Sequence, residues 1–418
     1  MTPKSEAVRS VAVILTSQCN LRCSYCYQNA KNSRRMDAET LRSAIDFALT
    51  AGATEVNLVF IGGEPLLEFS LIEQAVQYTE ARRPPDKQIH FSLASNGTLL
   101  TRKMITFLAE HDFSIHLSFD GIRHAQDYRS PGSFAVLHRV LDCLRDQEPA
   151  TFRDRLTVKS TVIPQSMPHL AESTDYFLRN GLQKIGISPA FSACPEWRVD
   201  DITTVEEQFG RVFSGSLSHY QRTGQVPVLC FRKERDSLMR LSGPRPMCGV
   251  MSGRSPAVDV DGQVYGCAAM ASSYQTPHSS LLREHWDKLK LGSLKGSHYD
   301  MRYTEFSDAV RSAAIFNHKE NKYSSYGRCG DCEYIDVCTV CPLAIGYDPG
   351  NTDPNRVPDF ACAFIRTQMK YRDLFPAQRA SSGVPESDPS EAIARLTALF
   401  GFSPLKDSEE NMNGVRSS

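Results

Sequence analysis

From Val11 onward, short apolar runs rich in β-branched residues alternate with longer stretches in which apolar residues recur at helical spacing. The runs Val11–Leu15, Glu55–Ile61, Gln88–Leu93, Ser114–Ser118, Leu156–Val162 and Lys184–Ser188 predict six strands, and Asp37–Ala51, Thr101–His111 and Met167–Asn180 predict helices between them. Strands alternating with helical crossovers imply an α/β fold with a parallel sheet, either open and doubly wound or curved like part of a TIM barrel.

Polar and glycine-rich segments fall just after these strands. Thr16-Ser17-Gln18-Cys19 follows the first, Gly62-Gly63-Glu64-Pro65 the second, Ser95-Asn96-Gly97 the third, Asp120-Gly121 the fourth and Pro164 the fifth. In barrel-like α/β folds the carboxyl ends of the strands carry the active site, so these segments are expected at one mouth. The repeat stops near Tyr220. Residues 226–369 are rich in cysteine and glycine, and Asp259-Val260-Asp261-Gly262, between Ser255–Val258 and Gln263–Tyr265, predicts a hairpin. The expected organisation is a core over 8–225, a small cysteine-rich domain over 226–375 and a flexible tail over 376–418, in which Ser390–Phe400 could form an amphipathic helix.

Composition narrows the classes. A chain of 418 residues with 41% hydrophobic and 23% charged residues is an ordinary globular protein with room for two or three units, which excludes a disordered chain. The formal net charge of −1 offers no basic excess for nucleic acid. Neither a long apolar span nor a secretory signal is present, so the expectation is a cytoplasmic protein with no membrane and no nucleic-acid partner.

Thirteen cysteines change the picture. In a reducing compartment tight cysteine clusters point to metal more than to disulfides. Cys19, Cys23 and Cys26 form a CxxxCxxC run after the first strand, seven cysteines lie from Cys248 to Cys362, and only Cys143, Cys194 and Cys230 are scattered. Thiolates suit iron–sulfur clusters or zinc, and three of them leave one metal position open for chemistry; zinc completed by a fourth ligand elsewhere is the plainer alternative.

Cys19–Cys26, with Tyr25 before its last cysteine, together with Gly62-Gly63-Glu64-Pro65 after the next strand, resembles the radical SAM enzymes. The resemblance implies a partial (β/α)6 TIM-like barrel and a 4Fe-4S cluster on Cys19, Cys23 and Cys26 that binds S-adenosylmethionine. It further implies close backbone approach to that ligand at Gly62 and Gly63, with Pro65 completing the turn, and the methionine ammonium on Glu64. Ser95 or Asn96 would reach the ribose hydroxyls. Arg129 would pair with the methionine carboxylate through its fork, and Asp120 would orient substrate or nucleotide.

The order Cys248, Cys267, Cys329-x2-Cys332-x5-Cys338-x2-Cys341 and Cys362 resembles the SPASM domain, the auxiliary-cluster module of radical SAM peptide and protein maturases. The family usually spaces the last close pair by three residues, where this chain has two. Carried over, one auxiliary 4Fe-4S cluster uses Cys329, Cys332, Cys338 and Cys362. The other uses Cys248, Cys267 and Cys341, with a fourth position that is open, filled by a non-cysteine ligand, or filled by Cys230. Three clusters and S-adenosylmethionine are therefore the implied cofactors.

The implied activity is reductive cleavage of S-adenosylmethionine to a 5′-deoxyadenosyl radical, hydrogen abstraction from a peptide or protein, and oxidative modification such as a thioether or C–C cross-link, with auxiliary clusters taking up the electron. Implied partners are the substrate and a low-potential donor such as flavodoxin or ferredoxin; the first strand begins near Val11 and leaves no room for the N-terminal leader-binding module of many relatives, so a leader is expected on a separate leader-binding protein, on the core itself, or not at all. Formylglycine formation is the nearest alternative; sulfatase-maturating relatives carry aspartate directly after the cysteine matching Cys267, where this chain has Ala268. Small-molecule radical chemistry, an iron–sulfur electron carrier and a zinc scaffold are the others.

Overall fold

The computed structural model describes residues 8–28, 32–50, 53–192, 194–232, 255–274, 281, 289–295, 300–348 and 350–376. Strands β1 (Ser10–Ile14), β2 (Glu55–Ile61), β3 (Gln88–Ser95), β4 (Ser114–Ser118), β5 (Leu156–Val162) and β6 (Ile185–Pro189) lie side by side in chain order, all parallel. Between them run α1 (Ala38–Thr50), α2 (Phe69–Arg82), α3 (Arg102–Glu110), α4 (Arg123–Gln126), α5 (Ser133–Gln147) and α6 (Leu170–Arg179), and α7 (Ile202–Thr223) follows β6. The two-residue period explains the layering. In β2, Val56, Leu58 and Phe60 are fully buried, while the alternate positions Asn57, Val59 and Ile61 are half-buried on the opposite face.

All six predicted strands are present. β3 runs two residues past its apolar run because Ala94 and Ser95 pair with His116 and Leu117 of β4. The helix predicted from Met167 begins as a separate 3-10 turn, Met167–His169, around Pro168, and α6 starts at Leu170. Thr101 caps α3, its hydroxyl accepting from the Met104 amide at 3.3 Å.

The predicted hairpin joins the same sheet. Strands β7 (Ala257–Val258) and β8 (Gln263–Tyr265) pair antiparallel, and β7 pairs parallel with β1 through Ala12–Ala257 and Val13–Val258. With β9 (Lys290–Ser293) and β10 (Asp300–Met301) the order is β10-β9-β8-β7-β1-β2-β3-β4-β5-β6, so backbone pairing crosses the boundary read at 225/226. At the other edge, Ile185 of β6 makes a parallel bridge with Val228.

Helix Asp359–Leu374 seats the cysteine-rich region on the core. Phe364 meets Phe209 of α7 edge-on at 5.0 Å, both fully buried, and the Gln368 amide donates to the Ile187 carbonyl of β6 at 3.2 Å. Each such phenylalanine contributes roughly 1.5–3 kcal/mol by leaving water. The tail beyond Pro376, including Ser390–Phe400, lies outside the described residues.

Candidate active site

Immediately after β1 the chain turns into the loop that carries Cys19, Cys23 and Cys26, each half-buried. Its entry is clamped from two sides. The Thr16 hydroxyl and the Ser17 amide both donate to the Arg34 carbonyl, and the Arg34 guanidinium pairs at 2.7 Å with Asp261 in the β7–β8 turn. From β2, the Gly63 amide donates to Thr16 O at 2.8 Å and the Glu64 amide to Gln18 O at 2.7 Å.

The two glycines are required by that approach. A Cβ on Gly62 falls 2.8 Å from Thr16 O, and one on Gly63 falls 2.1 Å from Gln18 O. The close approach they permit is therefore to the cysteine loop itself, and Pro65 then opens the short 3-10 turn Pro65–Glu68.

Glu64 is fully buried and accepts from three donors: Ser95 Oγ at 2.7 Å, the Asn96 amide at 2.8 Å and the Leu66 amide at 3.1 Å. Burial raises its pKa, and the three donated bonds oppose that rise. Three of the roughly four acceptor positions of a carboxylate are thus used. Asn96 reaches on to the cysteine loop, its side-chain NH2 lying 2.9 Å from Asn20 Oδ1 and 3.9 Å from Cys19 Sγ. The Leu21 amide also donates to Cys19 Sγ at 3.4 Å. Two N–H donors aimed at one sulfur are the surroundings of a thiolate ligand, so the triplet fits an iron–sulfur cluster.

A second network closes the loop from the side of β4. Arg129 forks onto Asp120, with Nη2–Oδ1 at 2.9 Å and Nε–Oδ2 at 3.2 Å, and both are buried. Asp120 also accepts from the Tyr25 hydroxyl and from the Thr161 amide at 2.8 Å. The Arg129 guanidinium lies 5.4 Å from the Tyr25 ring centroid. Burial raises the Tyr25 pKa well above that of an ordinary phenol. The fork assigned to the methionine carboxylate is thus held by Asp120, a pairing the sequence reading missed although the two residues are only nine apart.

The second cysteine set converges as well. Cys329 opens the turn Cys329–Asp331 and Cys332 follows it, Cys338 stands on the next loop and Cys362 on helix Asp359–Leu374, and together they line a cavity of about 40 Å³. Burial, then mutual repulsion, pushes Cys329 up to about 11; Cys362 is also pushed up to about 11, first by burial. Among the described residues no three His, Cys, Asp or Glu side chains lie close enough to hold one metal ion. A tetrahedral zinc site draws its thiolates to about 3.8 Å from one another, given Zn–S of about 2.3 Å. Four thiols round one cavity are a donor set that an iron–sulfur cluster can take.

Cys248 lies outside the described residues. Cys267 caps the turn Ala268–Met270 and Cys341 precedes helix Pro342–Tyr347. An aromatic group that the sequence reading did not single out stands here: Tyr27 meets Phe191 at 5.5 Å and Tyr274 at 6.1 Å, and Phe191 meets Tyr347 at 5.4 Å. The Tyr347 hydroxyl donates to the Ala269 carbonyl at 2.6 Å, which ties this group to the turn that follows Cys267. Cys230 lies beside Gln368 and Arg372, pushed up to about 12 by burial. Cys194, like Cys23, packs against the small cluster of Tyr25, Ile163 and Ala190, and Cys143 lies on α5.

A parallel α/β sheet with a cysteine-triplet loop at the mouth of its first strand, braced by a glycine pair and a buried glutamate, defines the class. Residues 13–164 match the model of the Radical SAM superfamily. A serine-type anaerobic sulfatase-maturating enzyme of Klebsiella pneumoniae is 39% identical over 263 residues, covering 60% of this chain and 65% of that protein. The chain spans 62 to 65% of the length of three of the curated relatives it matches. Among solved structures, native anSMEcpe with bound AdoMet superimposes with a TM-score of 0.66 at 18% identity, covering 87% of this chain and 96% of that one. Streptococcus suis SuiB bound to precursor peptide SuiA gives 0.52 at 14% identity, covering 85% and 76%. Among the described residues no helix is long and apolar enough to cross a membrane.

Proposed function

We propose that this chain is a radical SAM maturase that oxidatively modifies a peptide or protein. Its first cluster is held by Cys19, Cys23 and Cys26, one auxiliary 4Fe-4S cluster by Cys329, Cys332, Cys338 and Cys362, and a second by Cys248, Cys267 and Cys341. The observation that carries this reading is the cavity ringed by four thiols in a chain that also bears the cysteine triplet at the mouth of its sheet. When bound, S-adenosylmethionine and its cluster supply a 5′-deoxyadenosyl radical that takes hydrogen from the substrate. Glu64, through Ser95 and Asn96, holds Cys19 in place. Tyr25, Asp120 and Arg129 pin the loop to the segment that follows β4.

Peptide is the favoured substrate class because anSMEcpe has been solved with AdoMet and the Kp18Cys peptide, and SuiB with the SuiA precursor. The remaining partner is a low-potential donor such as flavodoxin or ferredoxin. Cross-linking is preferred to formylglycine formation because Ala268 stands where the maturases carry aspartate; the Klebsiella relative favours the second reading.

Anaerobically reconstituted protein, reduced in the presence of S-adenosylmethionine, is expected to form 5′-deoxyadenosine, and Cys23→Ala to abolish it. A short peptide encoded beside this protein is expected to lose two hydrogens without becoming reactive toward aldehyde reagents. An aldehyde-reactive product identifies the sulfatase-type reaction, and no 5′-deoxyadenosine from fully clustered protein refutes the enzyme reading.

A further inference from the structure

Three cationic side chains face the four-cysteine cavity: Lys319, Lys322 and Arg366. Arg366 follows Cys362 by four residues on helix Asp359–Leu374, so both project from one face. Its guanidinium donates to the Tyr326 carbonyl at 2.7 Å. Lys319 is half-buried and bonds the carbonyls of Cys338 at 2.7 Å and Ile335 at 3.2 Å, which fixes the loop that presents Cys338.

Lys322 differs from both. It is 1% exposed, and its ammonium bonds the Pro354 carbonyl at 2.7 Å, the Ala314 carbonyl at 2.9 Å and Asn355 Oδ1 at 3.4 Å, none of which carries charge. The nearby Asp353 carboxylate, which accepts from the Tyr323 hydroxyl at 2.6 Å and the Asn355 amide at 2.8 Å, attracts that ammonium from a distance but makes no ion pair with it. A buried ammonium is ordinarily retained where an opposite charge offsets its loss of water. Here the rest of that charge can come from the four cysteine thiolates round the cavity it lines. Its own carbonyl accepts from the Cys329 amide at 2.9 Å, which keeps the lysine beside the first thiol of the set.

Resting on the reading of this cavity as an iron–sulfur site, we propose that Lys322 is a positioning residue whose buried positive charge raises the reduction potential of the cluster held by Cys329, Cys332, Cys338 and Cys362, setting that cluster up as an electron acceptor. A cubane on four thiolates gains one negative charge when it takes up an electron. A fixed cation in a medium of low dielectric stabilises the reduced form more than the oxidised one. Lys319 and Arg366 add to the same field from more hydrated positions.

The test is a redox titration of the anaerobically reconstituted full chain, followed by electron paramagnetic resonance, with the component missing from Cys362→Ala marking this cluster. Lys322→Met is expected to keep its iron and sulfide but lower the reduced-to-oxidised ratio of that component at least tenfold at a fixed potential, a shift of 59 mV or more to the negative for a one-electron couple. Lys322→Arg is expected to restore it. An unchanged midpoint in Lys322→Met overturns the proposal. Loss of the component from Lys322→Met assigns the lysine to cluster assembly and also overturns it. If the wild-type chain has no iron–sulfur component that depends on Cys362, the reading of the cavity itself fails, a result distinct from either of these.

Discussion

Gly63→Ala tests the geometry of the mouth most directly. The added methyl falls 2.1 Å from Gln18 O, 2.5 Å from Gln18 C and 2.8 Å from Ser17 O, all backbone atoms of the loop that carries Cys19. Nothing there can rotate away, so the loop and the β2 turn must separate by about an ångström or more, against ordinary contact distances. That movement strains or breaks the bonds Gly63 N to Thr16 O and Glu64 N to Gln18 O. Overpacking at about 1–3 kcal/mol and two bonds at about 0.5–1.5 kcal/mol each place the cost at roughly 2–6 kcal/mol. Whether the chain meets this cost by losing stability or by displacing the loop, Cys19 moves relative to Asn96. The assay is therefore urea unfolding together with iron and sulfide content, with Cys362→Ala marking the auxiliary share. Gly63→Ala is expected to lose the first cluster's iron and the capacity to form 5′-deoxyadenosine while keeping the auxiliary iron. A Gly63→Ala chain that is within about 0.5 kcal/mol of wild type and binds its full iron refutes the reasoning.

Gly215→Ala is the converse, since a methyl at this exposed position of α7 meets nothing within 4 Å, and a gain of about 0.5–1 kcal/mol is expected in the same unfolding experiment. Asp120→Asn leaves Arg129 buried beside a neutral amide and is expected to cost about 3–5 kcal/mol, with Arg129→Met in the same chain recovering part of it; a double-mutant cycle showing no coupling rejects the pairing. His116, on β4, is pushed down to about 4, first by burial and then by Lys159 and Lys184. Its imidazole binds a proton more weakly in the folded chain than in the unfolded one, so between about pH 6.5 and about pH 4 the unfolded state holds more protons and stability falls as pH falls. The loss approaches about 3 kcal/mol across that window, and unfolding midpoints measured from pH 7 to 5 should decline less steeply in His116→Gln.

Local periodicity was enough to place the six parallel strands, because the alternation in Glu55–Ile61 or Leu156–Val162 is set by residues two apart, and burial on one face follows from it. The positions of the site segments were legible for the same reason: a cysteine triplet, a glycine pair and Ser95-Asn96 each stand at or just beyond the carboxyl end of a strand, and a parallel sheet brings those ends together. What each residue does there depended on contacts between distant parts of the chain. The space Gly63 must leave is defined by Gln18, forty-five residues earlier, and the carboxylate of Glu64 is filled by donors from β3. Arg129 is held by Asp120, which the register of β4 against β5 also aims at the Thr161 amide. The cysteine-rich region read as a separate unit, yet its hairpin extends the core sheet, because the open edge of β1 offers unpaired backbone groups to any strand that reaches it. Lys322 shows the division most sharply: in sequence it is one lysine among many, and only the folding of four cysteines and a helix around it makes its charge a buried one.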